Sequence, residues 1–109
     1  MNFNEALAAF QAQNYPLALD HLSSDSAVLT ENEIRLKAEV LQKLKRYEDA
    51  MNVWNVAIAN FGEHADFYAD RGVCKFHLRF KSSMDDLNKA IELDSDNGYR
   101  YACRAYVKD

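Results

Sequence analysis

Cys74 and His77 lie three residues apart in Gly72-Val73-Cys74-Lys75-Phe76-His77, close enough to share one face of a helix. A thiol beside an imidazole is the skeleton of a cysteine nucleophile, activated when the histidine takes its proton. The simpler reading is a small apolar Cys in a packed helix with a surface His nearby. It is preferred because no third group is placed to orient the imidazole and no loop offers backbone donors to an oxyanion. His21, His64 and His77 are spread along the chain with no i, i+4 pair, so no metal site is expected. No glycine-rich phosphate loop is present, and no cofactor is expected. The neighbouring Asp85 and Asp86 read as a solvated helix face. The chain is therefore expected not to be an enzyme.

The Cys–His stretch belongs to a longer one, Asp66 to Asp94, which reads as two helices with a tight turn near Arg79. Tyr68, Gly72 and Phe76 recur at helical spacing, with Val73 beside them. Phe80, Met84, Leu87 and Ile91 form a second apolar stripe. A glycine inside a helix costs about 1 kcal/mol against alanine, so Gly72 implies close approach of another helix. Ser83 and Ala90, small residues on one face of the second helix, suit such a hairpin.

The pattern recurs. Tyr15, Ala18 and Leu22 have the same spacing as Tyr47, Ala50 and Trp54, and as Phe80, Ser83 and Leu87. Upstream, Ala6, Ala38, Gly72 and Ala105 mark the small residue of each leading helix, at steps of about 32 to 34 residues. Thr30-x-x-Glu33 is a capping box that starts one leading helix, and Pro16 suits the first position of a companion helix. Trp54 is the largest side chain available to anchor its hairpin and reads as core.

With these copies in phase over nearly the whole chain, the sequence resembles the tetratricopeptide repeat family. The family pattern is W-x₂-L-G-x₂-Y, then A-x₃-F, then P. The third copy offers Tyr68-x₂-Arg71-Gly72-x₂-Lys75 and Ser83-x₃-Leu87; the second offers Ile34-x₂-Lys37-Ala38-x₂-Leu41 and Ala50-x₃-Trp54. The terminal proline is missing throughout, replaced by Gly62 in the second copy and by Asp94-Ser95-Asp96-Asn97-Gly98 in the third. The third copy is one residue short between its helices, and the first is irregular after Leu22.

The resemblance implies an all-α, right-handed solenoid of three helical hairpins plus a terminal helix. One domain would span 1–109, with repeats at about 1–28, 31–62 and 65–96 and a partial repeat at 97–109. It also implies a protein–protein or peptide interaction module whose leading helices line a concave face. Carried over position by position, that face holds Phe3, Leu7 and Phe10 from the first leading helix. Arg35, Leu36, Glu39 and Lys43 come from the second, and Asp66, Asp70, Val73, Phe76 and His77 from the third. Tyr99, Cys103 and Tyr106 come from the last. Family members that bind acidic chaperone tails use a basic clamp. Phe3, Leu7, Leu36, Asp66 and Asp70 stand at the clamp positions here, so such tails are not the expected ligand. The alternative to a peptide groove is a spacer or self-assembly segment of a longer array.

Composition sets outer bounds. The chain has 109 residues, of which 49 % are hydrophobic, with three Gly and one Pro, which suits helices and few turns. A formal net charge of −4 argues against a nucleic-acid partner. No apolar run approaches the ~20 residues of a membrane span. The start Met1-Asn2-Phe3-Asn4-Glu5 lacks the features of a signal peptide, and two Cys do not form a disulfide framework, so a cytoplasmic setting is the default expectation. The segment Tyr99 to Val107 matches a leading helix without its companion, as though a longer array were cut there, the alternative being an array finished with a lone capping helix. Its apolar face is expected to fray after about Gly98 or to be covered in a weak homodimer.

Overall fold

The computed structural model describes residues 3–22 and 26–94, apart from the Ala27 side chain. Those residues form six α-helices and one short 3₁₀ turn, with no strand among them. Helices α1 (Phe3–Gln11) and α2 (Tyr15–Asp20) make the first hairpin. The 3₁₀ turn Ser26–Val28 leads to α3 (Glu31–Lys43) and α4 (Tyr47–Phe61). Helices α5 (Ala65–His77) and α6 (Ser83–Leu93) make the third hairpin. Each helix packs against the next in chain order. The expected fourth leading helix, with Tyr99, Cys103, Ala105 and Tyr106, lies outside the described residues.

Local chemistry sets the helix starts. The Asn14 side chain accepts the Leu17 N–H at 3.4 Å and caps α2. Pro16 therefore stands at the second helical position rather than the first, still within the turn whose N–H groups have no helical partner. The capping box at α3 is complete. Thr30 Oγ1 accepts the Glu33 N–H at 3.3 Å, and Glu33 Oε1 accepts the Thr30 N–H at 3.0 Å. Gly62, at φ +89°, ends α4.

The three turns inside the hairpins are one device used three times. Gln13, Lys45 and Arg79 all take left-handed φ, at 62°, 60° and 64°. The following N–H reaches back five residues in each case: Asn14 to Ala9 at 2.8 Å, Arg46 to Leu41 at 2.8 Å and Phe80 to Lys75 at 2.8 Å. These are Schellman closures, which satisfy carbonyls left over at a helix end. The shortened third turn then departs from the others. Helix α6 begins only at Ser83, so Phe80 falls out of the helical stripe and is 45 % exposed instead of buried.

Among the described residues the core falls in three clusters. Helix α3 serves two of them because its apolar residues occupy two faces. Ile34, Ala38 and Leu41 meet Ala50, Val53, Trp54 and Ala57 of α4, while Leu36 and Val40 meet Ala6, Ala9 and Ala18. Trp54 is buried as expected, with its indole N–H donating to Gln42 Oε1 at 3.2 Å. Gly72 is the close-approach point of α5 and α6: a Cβ there would meet Leu87 Cγ at 2.9 Å and the Ser83 carbonyl at 3.0 Å.

Asp86 corrects the sequence reading. Asp85 is exposed, but Asp86 is buried and holds two cations of α5. Arg71 grips it with two nitrogens, both at 2.8 Å, and Lys75 Nζ approaches at 3.1 Å. Burial of this carboxylate is tolerated because both of its oxygens are matched by charged donors. Its hydrogen bonds raise the Arg71 pKa further.

Candidate peptide-binding groove

The second and third leading helices bring together residues that the sequence separates by about thirty positions. Arg35 Nη1 meets Asp66 Oδ2 at 3.1 Å, and its Nη2 meets Glu31 at 3.6 Å in the same helix. The guanidinium also lies 4.6 Å from the Phe67 ring centroid, a cation–π contact. One turn along, Glu39 and Lys43 of α3 face Asp70, Val73 and His77 of α5 across an open groove. The groove has a volume of about 390 Å³, and Gln42 and Tyr47 complete its lining.

Five of the groove's lining residues, Glu39, Lys43, Asp70, Val73 and His77, are among those expected on the concave face. Gln42 and Tyr47 are additions. Tyr47 opens α4, and its ring stacks on His77 with centroids 4.1 Å apart and planes 8° from parallel. The sequence signal for it was present: an aromatic at the entry of a companion helix, equivalent to Tyr15, which meets Phe10 at 5.7 Å. Phe3, Leu7 and Phe10 are half-buried against the first core cluster and do not line this groove. Leu36 points inward and is 6 % exposed, which leaves it little surface for a ligand. Phe76 packs with Tyr68, Val73 and Met84 around the third cluster, 5.5 Å from the His77 ring. Tyr99, Cys103 and Tyr106 lie outside the described residues.

Electrostatically, Asp70 is the unusual group. It is half-buried, and its pKa is pushed up to about 7. Loss of solvent is the main cause, the negative charge of Glu39 adds to it, and Arg35 opposes both.

Cys74 and His77 are sent to different places. Cys74 is fully buried in the central cluster with Trp54 and Phe67, whereas His77 is exposed at the groove. Burial pushes the Cys74 thiol up to about 12, away from the thiolate that a nucleophile requires. Among the described residues no group of His, Cys, Asp and Glu could hold a metal ion. None of their helices is long and apolar enough to cross a membrane.

No family model matches the chain, and no solved structure matches it either. A curated protein does: a tetratricopeptide repeat protein 36 homolog of Drosophila pseudoobscura pseudoobscura, 29 % identical over 83 residues. That alignment takes in 75 % of this chain and 44 % of the relative, so the chain spans less than half the length of the protein it matches. Repeat register, helix order and this relative point the same way: the chain resembles the tetratricopeptide repeat family.

Proposed function

We propose that this chain is a non-catalytic interaction module that binds a segment of another protein in the groove between α3 and α5. The supporting observation is the groove itself. It is open, and polar side chains from two leading helices face into it beside a stacked ring pair. Such sites combine an apolar or aromatic wall with a few placed polar groups. In this reading the hairpins stack as a right-handed solenoid and the leading helices line its concave side.

The test is selection from a displayed library of random peptides, followed by amide chemical-shift mapping. Selected ligands should move the amides of Glu39, Lys43, Asp70 and His77. The double variant Tyr47→Ala with His77→Ala should weaken them by about tenfold or more while the helical spectrum is unchanged. Ligands that all leave the groove amides unmoved would overturn the reading.

A second reading, a spacer or self-assembly segment, draws on Phe80 and Leu93, which are 45 % and 40 % exposed on the third hairpin. It predicts concentration-dependent light scattering that Phe80→Ser with Leu93→Ser abolishes.

A further inference from the structure

We propose that the α3–α5 groove receives a cationic side chain, Lys or Arg, from the bound peptide. This rests on the reading that the groove binds peptide, and names the chemistry that fills it.

The groove's charges are unevenly committed. Glu39 and Asp70 enter it from facing helices and repel one another. Arg35, the guanidinium nearest them in the sequence of α3, is occupied elsewhere. It pairs with Asp66 and Glu31 and lies over the Phe67 ring, so it lowers the Asp70 pKa only through space. Among the described residues no hydrogen bond or ion pair reaches the Asp70 carboxylate. Among the described residues Lys43 is the one ammonium in the lining, and it is exposed, on a flexible stem that can turn to solvent. A half-buried carboxylate left without a partner favours a ligand that brings one.

The wall fits the same occupant. Tyr47, held flat against His77, presents an aromatic ring to the groove, and ring faces attract cations. About 390 Å³ is ample for the stem and head of one long side chain. An anionic side chain would meet two carboxylates, with Lys43 alone among the described residues in compensation. A neutral one would leave Asp70 as it is.

The groups facing Asp70 set the expected pH response. They are Arg35, Glu39 and Lys43 from α3, Tyr47 from α4, and Cys74 and His77 on its own helix. In the empty groove Asp70 keeps its proton to about pH 7, and an arriving cation displaces it. Affinity should therefore rise about tenfold from about pH 6 to about pH 8, following the ionised fraction of one group. His77→Phe keeps a ring stacked on Tyr47 without an imidazole and isolates the part played by Asp70.

The probe is an array of short random-flanked peptides, each flank made with Lys, norleucine or Glu at its centre. Binding is measured by anisotropy and located by amide shifts. Lys peptides should bind about tenfold more tightly than their norleucine partners at about pH 8. That preference should vanish in Asp70→Asn and shrink in Glu39→Gln. The pH response should disappear in Asp70→Asn and survive in His77→Phe. Groove-bound peptides that prefer norleucine or Glu would overturn the cationic pocket and leave the peptide groove standing. So would a Lys preference that persists in Asp70→Asn. If no peptide of any series moves the groove amides, both readings fall.

Discussion

Gly72→Ala sets two forces against each other. In a free helix the change stabilises by about 1 kcal/mol, because glycine loses more backbone freedom on folding. In this chain the new Cβ would stand 2.9 Å from Leu87 Cγ, 3.0 Å from Leu87 Cδ2 and 3.0 Å from the Ser83 carbonyl oxygen. Leu87 is fully buried and cannot swing into solvent, and the Ser83 oxygen moves only if the backbone of α6 moves. Overpacking of a close helix contact costs about 1–3 kcal/mol. The steric force should win, for a net loss of up to about 2 kcal/mol, and Gly72→Leu should lose several kcal/mol. Urea titration of helical circular dichroism reads both values, provided the slope is unchanged. In a Leu87→Ala background one of the two obstacles is gone. There Gly72→Ala should lose much of its penalty, a coupling that a double-mutant cycle measures. A higher urea midpoint for Gly72→Ala in the parent chain would refute the reasoning. Helix propensity would then outweigh the contact, and α5 would not need a glycine to approach α6.

Four further outcomes are expected. Lys45→Gly and Arg79→Gly should each stabilise by about 0.5–1 kcal/mol by relieving left-handed φ, seen as a raised melting temperature, whereas Lys45→Ala should not. Asp86→Asn should cost about 3 kcal/mol in urea titration, because Arg71 and Lys75 keep their charges beside a buried neutral amide. Cys74 should resist iodoacetamide at neutral pH in the folded chain and react at the rate of global unfolding, since its thiol is buried and raised to about 12. Asp70 holds a proton from about pH 4 to about pH 7 that the unfolded chain has already released, so its contribution to stability falls as pH rises through that window. Asp70→Asn should therefore exceed the parent's stability at about pH 8 by about 2 kcal/mol, discounted for partial solvation. It should show no such advantage at about pH 4.

Local signals in the sequence were the readable ones. Thr30 and Glu33 act within one turn, so their capping box could be seen without any partner helix. The small residues Ala6, Ala38 and Gly72 betrayed helix contacts because a glycine or alanine at a repeating position has no other evident use there. Asp86 escaped because its partners, Arg71 and Lys75, stand on the preceding helix, and neighbouring acids look alike in a linear pattern. Phe80 was misread because the stripe was extrapolated through a turn one residue short, which delays α6 to Ser83. Five of the groove's seven lining residues were among those the repeat register singled out, Glu39 and Lys43 at set positions along α3 and Asp70, Val73 and His77 along α5. Tyr47 was not, because its use depends on which ring of the next repeat lies against it.

Arg71 makes one more connection than its grip on Asp86. Its Nη1 donates to Asn55 Oδ1 of α4 at 3.0 Å, and its guanidinium lies 5.1 Å from the Tyr68 ring centroid. A single side chain thus ties α4, α5 and α6, and Lys89 adds a tie from α6 to Glu63 at 3.3 Å. Repeat chains open in units set by how strongly neighbours are coupled. Here the boundary of the unit is not the boundary of the repeat. The second and third hairpins share fasteners and should open together, as one cooperative block. The first hairpin, whose α2 has only six residues, can peel away alone. Under a stretching force applied across the described helices these would then lengthen in two steps of unequal size, the small one first, and Arg71→Ala would divide the large step in two.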